Sequence, residues 1–90
     1  MLSIFYSSQF KQDHKTVKKR GYDMKLMTDV IDLLITGKPL PAKYKEHPLK
    51  GKYSGQKGCH ITPDSLLIYK IDGGCLILTM TRTGTHSDLF

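Results

Sequence analysis

The chain has no apolar run longer than a few residues, far short of the roughly 20 that a helix needs to cross a bilayer. Its first residues show no basic segment followed by a long apolar stretch and a small-residue cleavage site, so no secretory leader is expected. These two gaps point to a cytoplasmic protein without a membrane partner. Cysteine is scarce, with only Cys59 and Cys75. A secreted domain this small would ordinarily carry several disulfides to support its core, and these two show neither paired nor metal-ligand spacing. Both fall in apolar segments read as strands, where a buried free thiol is the expected role. Internal repeats, low-complexity segments and linkers are also missing, so residues 1–90 are read as one domain.

Acidic residues are few as well, eight against fourteen Lys and Arg, for a net charge of +6. The imbalance is uneven, with twelve of the Lys and Arg against five acids in residues 1–57, and two against three in residues 58–90. A basic surface on a small domain is the electrostatic footprint of a nucleic-acid binder, because each lysine beside a phosphate releases condensed counterions. A solvated lysine-rich surface and an acidic protein partner answer to the same charge. Composition does not choose among them.

Met1–Tyr6 alternates Leu2, Ile4 and Tyr6 against Ser3 and Phe5, which suits a strand. Ser7 and Ser8 offer N-caps for a helix over about Gln9–Arg20, with Phe10, His14 and Val17 on one face and Gly21 as the stop. Asp23 can cap a second helix whose apolar positions are Leu26, Met27, Val30, Ile31 and Leu34, ended by Gly37 and Pro39. Residues 38–48, with Pro39, Pro41, Pro48 and three lysines, read as an extended loop, and long loops in compact domains are often functional. Strand-like runs follow at about Gly51–Tyr53, Lys57–Thr62, Leu66–Ile71 and Leu76–Thr83, separated by turn residues. The class is α+β: an N-terminal strand, then a two-helix hairpin packed on one face of an antiparallel sheet of four to five strands.

The residues suited to chemistry are concentrated in the second half. His47 lies in the proline loop, His60 in a strand, and His86 beyond the last strand, which is expected to neighbour the strand of His60. If Cys59 and Ile61 face the core, His60 and Thr62 point to the other side of the sheet, and Asp64 follows in the next turn. RNA carries its own nucleophile in the 2′-hydroxyl. Cleaving it requires a base for that proton, an acid for the departing 5′ oxygen, and cations for the negative transition state. Histidine suits the first two tasks because it titrates near neutrality; lysine and arginine suit the third. No metal or cofactor is required.

Each of these residues also has a plainer reading. A histidine in a small protein is more often a surface or satisfied core group than a catalyst, and His14, on the inner face of the first helix, fits that description best. Asp64 after Pro63 is what a turn needs. A zinc site from His47, His60, His86 and Cys59 is not expected, since no pair has ligand spacing and Cys59 and His60 point to opposite faces.

At these same positions the chain resembles a known family. The stretch Lys43-Tyr44-Lys45-Glu46-His47-Pro48-Leu49-Lys50-Gly51, the run Cys59-His60-Ile61-Thr62-Pro63-Asp64-Ser65-Leu66-Leu67-Ile68-Tyr69-Lys70, and the ending Arg82-Thr83-Gly84-Thr85-His86-Ser87-Asp88-Leu89-Phe90 resemble the YafQ branch of the RelE-like toxins. Length and element order agree, so the likeness spans essentially the whole chain. The resemblance implies the toxin of a type II toxin–antitoxin pair. Such a toxin enters the ribosomal A site, cuts messenger RNA there without a metal, favours an adenine-rich lysine codon, and so inhibits translation. It implies that His47, His60, Asp64, His86 and Phe90 form the active-site group. His86 would act as general acid and Asp64 or His47 as base, while Phe90 would hold a base by stacking. Arg82 is expected to contact phosphate, and Lys43, Lys45, Lys50 and Lys52 to bind RNA. The implied partners are an acidic cognate antitoxin with a DNA-binding domain, messenger RNA and the ribosome; operator DNA would be reached only through the antitoxin.

One feature departs from the family. Members usually carry an acid, often behind an arginine, just before the Cys-His pair; Lys57-Gly58 stands here instead. A glycine is expected to loosen that strand and puts the contribution of His60 in question. Two alternatives stay open: a non-catalytic basic module that blocks RNA or the ribosome, and a degenerate toxin that only pairs with an antitoxin.

Overall fold

A computed structural model describes residues 1–90. Strand β1 (Ser3–Tyr6) leads into helices α1 (Ser8–Lys19) and α2 (Met24–Ile35). Both helices begin on the caps read from the sequence. The Ser7 hydroxyl accepts from the Phe10 N–H at 2.9 Å and the Asp23 carboxylate from the Lys25 N–H at 3.0 Å, satisfying donors that a helix start leaves orphaned. Gly21, at φ 89°, makes the turn between them. Strands β2 (His47–Pro48), β3 (Lys57–Thr62), β4 (Ser65–Asp72) and β5 (Ile77–Gly84) follow, and the short helix α3 (His86–Leu89) closes the chain.

The sheet order is β1-β5-β4-β3-β2. Strands β3 to β5 are antiparallel, as expected; β2, in the segment read as a loop, also pairs antiparallel with β3, but β1 lies parallel to β5. The sheet is therefore mixed. No hairpin ties β1 to β5, and the long path through both helices leaves a parallel pairing open. A second correction concerns neighbours: β4 separates β3 from β5, so the strand leading to His86 does not adjoin the strand of His60. The segment Gly51–Tyr53 forms a single 3-10 turn rather than a strand. Cys75 sits exposed in the β4–β5 turn, not buried in a strand.

Each face of the sheet has its own core. On one, Phe10 and Val17 of α1 and Met27, Val30 and Leu34 of α2 pack on Cys59, Leu67, Tyr69, Leu78 and Met80. On the other, Tyr53, Leu66, Ile68 and Leu89 form a smaller cluster with Leu49 against it. Alternation along β3 and β4 makes this division: Leu67 and Tyr69 go to the helices, Leu66 and Ile68 to the opposite side. The expectation that His60 turns away from the Cys59 face holds. No helix is long and apolar enough to cross a membrane.

Helix α1 carries a polar residue on its buried stripe. Phe10, Asp13 and Val17 are its buried positions, while His14 is only partly covered. Asp13 takes Arg82 Nε and Nη2, both at 3.0 Å, and also accepts from the Thr83 N–H at 3.2 Å. This carboxylate therefore bolts α1 to β5.

Candidate functional site

A cleft of about 500 Å³ opens on the sheet face away from the helix hairpin. Its walls include His47, Lys50, Gly58, His60, His86 and Phe90 over an apolar floor of Leu49, Leu66 and Ile68. Three segments far apart in sequence thus meet here, each brought by a different device.

The first segment arrives through backbone geometry. Lys45 ends the 3-10 turn Ala42–Tyr44 in the left-handed region, φ 50° and ψ 46°. His47 Nδ1 lies 2.9 Å from the Lys45 carbonyl oxygen. A carbonyl only accepts, so this nitrogen carries the proton and the neutral ring keeps Nε2 as its proton acceptor. Pairing with Gly58 across β2–β3 sets the His47 ring near His60, their centroids 6.4 Å apart.

Contrary to expectation, Gly58 does not loosen β3. It is buried and paired on both sides, with His47 and with Ile68, so the strand is not loosened there. A Cβ at this position would come 3.2 Å from Leu49 Cδ2. The missing side chain gives Leu49 its seat against the smaller core.

The tail reaches the cleft by crossing over β4. Leu89 is 1% exposed in the smaller core, and the Tyr53 hydroxyl donates to the Leu89 carbonyl at 3.1 Å. Thr85 and Asp88 form a reciprocal capping box at the start of α3. Arg20 Nη1 and Nη2 reach Asp88 at 2.6 and 3.2 Å, tying α3 to the end of α1. Gly84 is required by this arrangement: at φ 154°, a Cβ there would lie 2.9 Å from Asp88 Oδ2. The motif Thr83-Gly84-Thr85-His86 is thus a device for folding the tail back. His86 lies 4.9 Å from the Phe90 ring, centroid to centroid, and Tyr53 meets Phe90 edge-on at 5.5 Å. Phe90 remains 54% exposed, leaving ring surface for a ligand.

The remaining expected residues divide. Lys50 lines the cleft. Lys43 and Lys45 line an adjoining hollow of about 280 Å³ that shares His60 with it. Lys52 projects over the Tyr53 ring at 5.1 Å. Asp64 is not on the cleft wall; it sits in the exposed turn after β3 and accepts from the Thr62 hydroxyl at 2.9 Å. Arg82 is not on the wall either, because Asp13 engages two of its guanidinium nitrogens. That pairing holds the guanidinium well above its ordinary pKa. No three His, Cys, Asp or Glu side chains gather as a metal-ligand set.

Several organising residues escaped the sequence reading. Asp13 was legible in principle, since positions 10, 13 and 17 follow helical spacing as well as 10, 14 and 17 do. Glu46 and Tyr69, whose hydroxyl donates to Glu46 Oε2, left no such signal.

A two-helix hairpin over one face of a five-stranded mixed sheet is the RelE-like fold. The description "Bacterial toxin of type II toxin-antitoxin system, YafQ" matches residues 2–90. The mRNA interferase toxin YafQ of Escherichia coli K12 is 44% identical over 88 residues, which span 97% of this chain and 94% of that protein. The toxin in the crystal structure of the E. coli DinJ–YafQ complex superposes with a TM-score of 0.91 at 43% identity, covering 100% of this chain and 99% of that one. A metal-bound toxin from Helicobacter pylori gives a TM-score of 0.92 at 44% identity, covering 100% of both chains. This chain belongs to the YafQ family of type II toxins.

Proposed function

We propose that this toxin is an mRNA interferase that cuts messenger RNA in the ribosomal A site by acid–base catalysis with its own side chains. The observation that carries the reading is the single cleft shared by His47, His60, His86 and Phe90, with Lys50 on its wall. His47 takes the proton of the 2′-hydroxyl through Nε2, and the 2′ oxygen attacks the adjacent phosphorus. The bond to the 5′ oxygen breaks, and that oxygen leaves with a proton from His86. The products are a 2′,3′-cyclic phosphate and a 5′-hydroxyl end. His60, between cleft and hollow, and the lysines at 43, 45, 50 and 52 offset the charge of the phosphorane. Phe90 stacks on a base. Asp64, which the sequence left as an equal candidate for base, ranks behind His47 because it stands off the wall. Arg82 ranks behind the lysines as a phosphate contact because Asp13 engages it.

The setting that goes with this reading is the cytoplasm. There the toxin pairs with an acidic cognate antitoxin, which supplies any contact with operator DNA. The antitoxin proposal draws on the DinJ–YafQ complex of the relative.

The deciding experiment uses purified toxin, programmed ribosomes and mapping of new 5′ ends. Ends within the A-site codon are expected for wild type, with His47→Ala and His86→Ala each lowering the rate by roughly 10²-fold or more, the contribution of a positioned acid or base. A folded Asp64→Ala variant that loses more than His47→Ala would transfer the base role to the aspartate. A second reading, a basic module that blocks without cutting, draws on Gly58, which leaves the cleft without the family's usual acid. Salt-sensitive ribosome binding with no new RNA ends would favour it.

A further inference from the structure

We propose that Glu46 and Tyr69 are a positioning pair that fixes the ring of His47 for proton abstraction. The inference rests on the reading of His47 as the base and adds two residues to the machinery behind it.

The segment that presents His47 is poorly held by its own backbone. Strand β2 is only two residues long and pairs with β3 at two positions, His47 with Gly58 and Pro48 with Lys57. Residues 45 to 48 are exposed, so burial does not hold them either. Just before His47, Lys45 sits in the left-handed region, where only glycine is at ease. Its carbonyl must nonetheless stay on His47 Nδ1 to keep the ring in one tautomer and one orientation. Something outside the segment has to hold this turn.

The side chain between those two residues does so. Tyr69 is 0% exposed, in the core under α1 and α2, and its hydroxyl donates to Glu46 Oε2. Burial, then the bond to Glu46, push the phenol above its ordinary pKa, so it stays a donor at every working pH. The acceptor is a charged group, which makes the bond stronger than a neutral pair. A rigid central strand thereby reaches through the protein and grips the loop one residue before the imidazole. Alternation supplies the geometry: Glu46 turns to the core side and His47 to the cleft side.

A residue that only satisfied a buried phenol would affect stability alone. A positioning role predicts a different pattern in ribosome-dependent cleavage. Glu46→Ala and Tyr69→Phe should each lower kcat by roughly tenfold, with KM for the programmed ribosome unchanged, since a small misplacement of a base costs rate rather than binding. The double variant should be no slower than either single, because one contact is removed once. Glu46→Gln, which keeps a carbonyl acceptor, should recover to within a few-fold of wild type. In a His47→Ala background, Glu46→Ala should have no further effect. Independently of activity, the imidazole nitrogen shifts of His47 by NMR should show one Nδ1–H tautomer in wild type and a mixture in Glu46→Ala.

Wild-type kcat and an unchanged tautomer in Glu46→Ala, with His47→Ala inactive, would overturn the pair and leave the base assignment standing. Full activity of a folded His47→Ala would overturn the base assignment itself. If Tyr69→Phe does not fold, the surface substitution Glu46→Ala decides the matter alone.

Discussion

Replacing Asp13 by alanine tests the bolt between α1 and β5. The side chain of Asp13 is 10% exposed and that of Arg82 23% exposed, so neither charge is well solvated without the other. The substitution removes four hydrogen bonds at once: two from the guanidinium, one from the Thr83 N–H and one from the Gln9 side-chain amide. Breaking a buried ion pair from one side costs about 3–5 kcal/mol, because the remaining charge is stranded. Water reaches part of Arg82, which favours the lower end, about 3 kcal/mol. In a domain of this size about 3 kcal/mol corresponds to a fall in Tm of roughly 12–24 °C. Asp13→Asn keeps an acceptor but not the charge and should lose about half as much, on the order of 1.5 kcal/mol. Removing both charges, as Asp13→Leu with Arg82→Met, should restore stability to within about 1 kcal/mol of wild type, since an apolar pair of similar size replaces a buried ion pair at little cost. Urea denaturation followed by circular dichroism measures all three. A loss below about 1 kcal/mol for Asp13→Ala, the range of surface ion pairs, would refute the argument.

Three further outcomes are expected. Hydrogen bonding to Arg20, then to the Thr85 N–H, holds the Asp88 carboxyl well below its ordinary value of 3.8. A depressed folded pKa contributes stability above the unfolded value and loses it as pH falls below about 4; the drop in Tm between pH 5 and 3 should therefore be smaller in Asp88→Asn, and an equal drop would count against the latch. Burial pushes the Cys59 thiol up to about 12, whereas Cys75 is exposed; a thiol reagent at pH 8 should titrate one cysteine in the native protein and two in denaturant, and rapid native labelling of both would contradict the burial. Toxin stripped with a chelator and returned to magnesium-buffered ribosomes should cut at the untreated rate, and a loss restored by a transition metal would overturn side-chain acid–base catalysis.

Local patterns were the most legible part of the fold. Ser7 and Asp23 announced both helices because capping is a contact within three residues, and β3 was bounded correctly because turn residues flank it. What failed was non-local. Nothing near Ser3–Tyr6 states which edge it joins or in which direction, since that depends on where two helices return the chain. The same limit applies to the site. His47, His60, His86 and Phe90 do share a cleft, yet the route that brings His86 there is a contact between Arg20 and Asp88, residues 68 apart in sequence. Tyr69 looked like one more apolar strand residue, because a hydroxyl at the end of a buried ring is silent in a hydropathy pattern.

The division into two cores shows what a glycine at position 58 does for the cleft. Ten buried residues hold the helix hairpin to one face, and four support the cleft from the other. The cleft thus rests on a thin layer of Tyr53, Leu66, Ile68 and Leu89, with Leu49 packed against it. A Cβ at 58 would lie 3.2 Å from Leu49 Cδ2, so Leu49 would have to give way by a few tenths of an ångström, and the rest of a larger side chain would crowd it further. Where a relative carries an acid at this position, the residue packed opposite should be smaller or turned away. Gly58→Asp in this chain should therefore lose stability unless Leu49 is shortened, and Gly58→Asp with Leu49→Ala should recover part of what Gly58→Asp alone loses. If the two losses simply add in a denaturation measurement, the glycine is not there for Leu49.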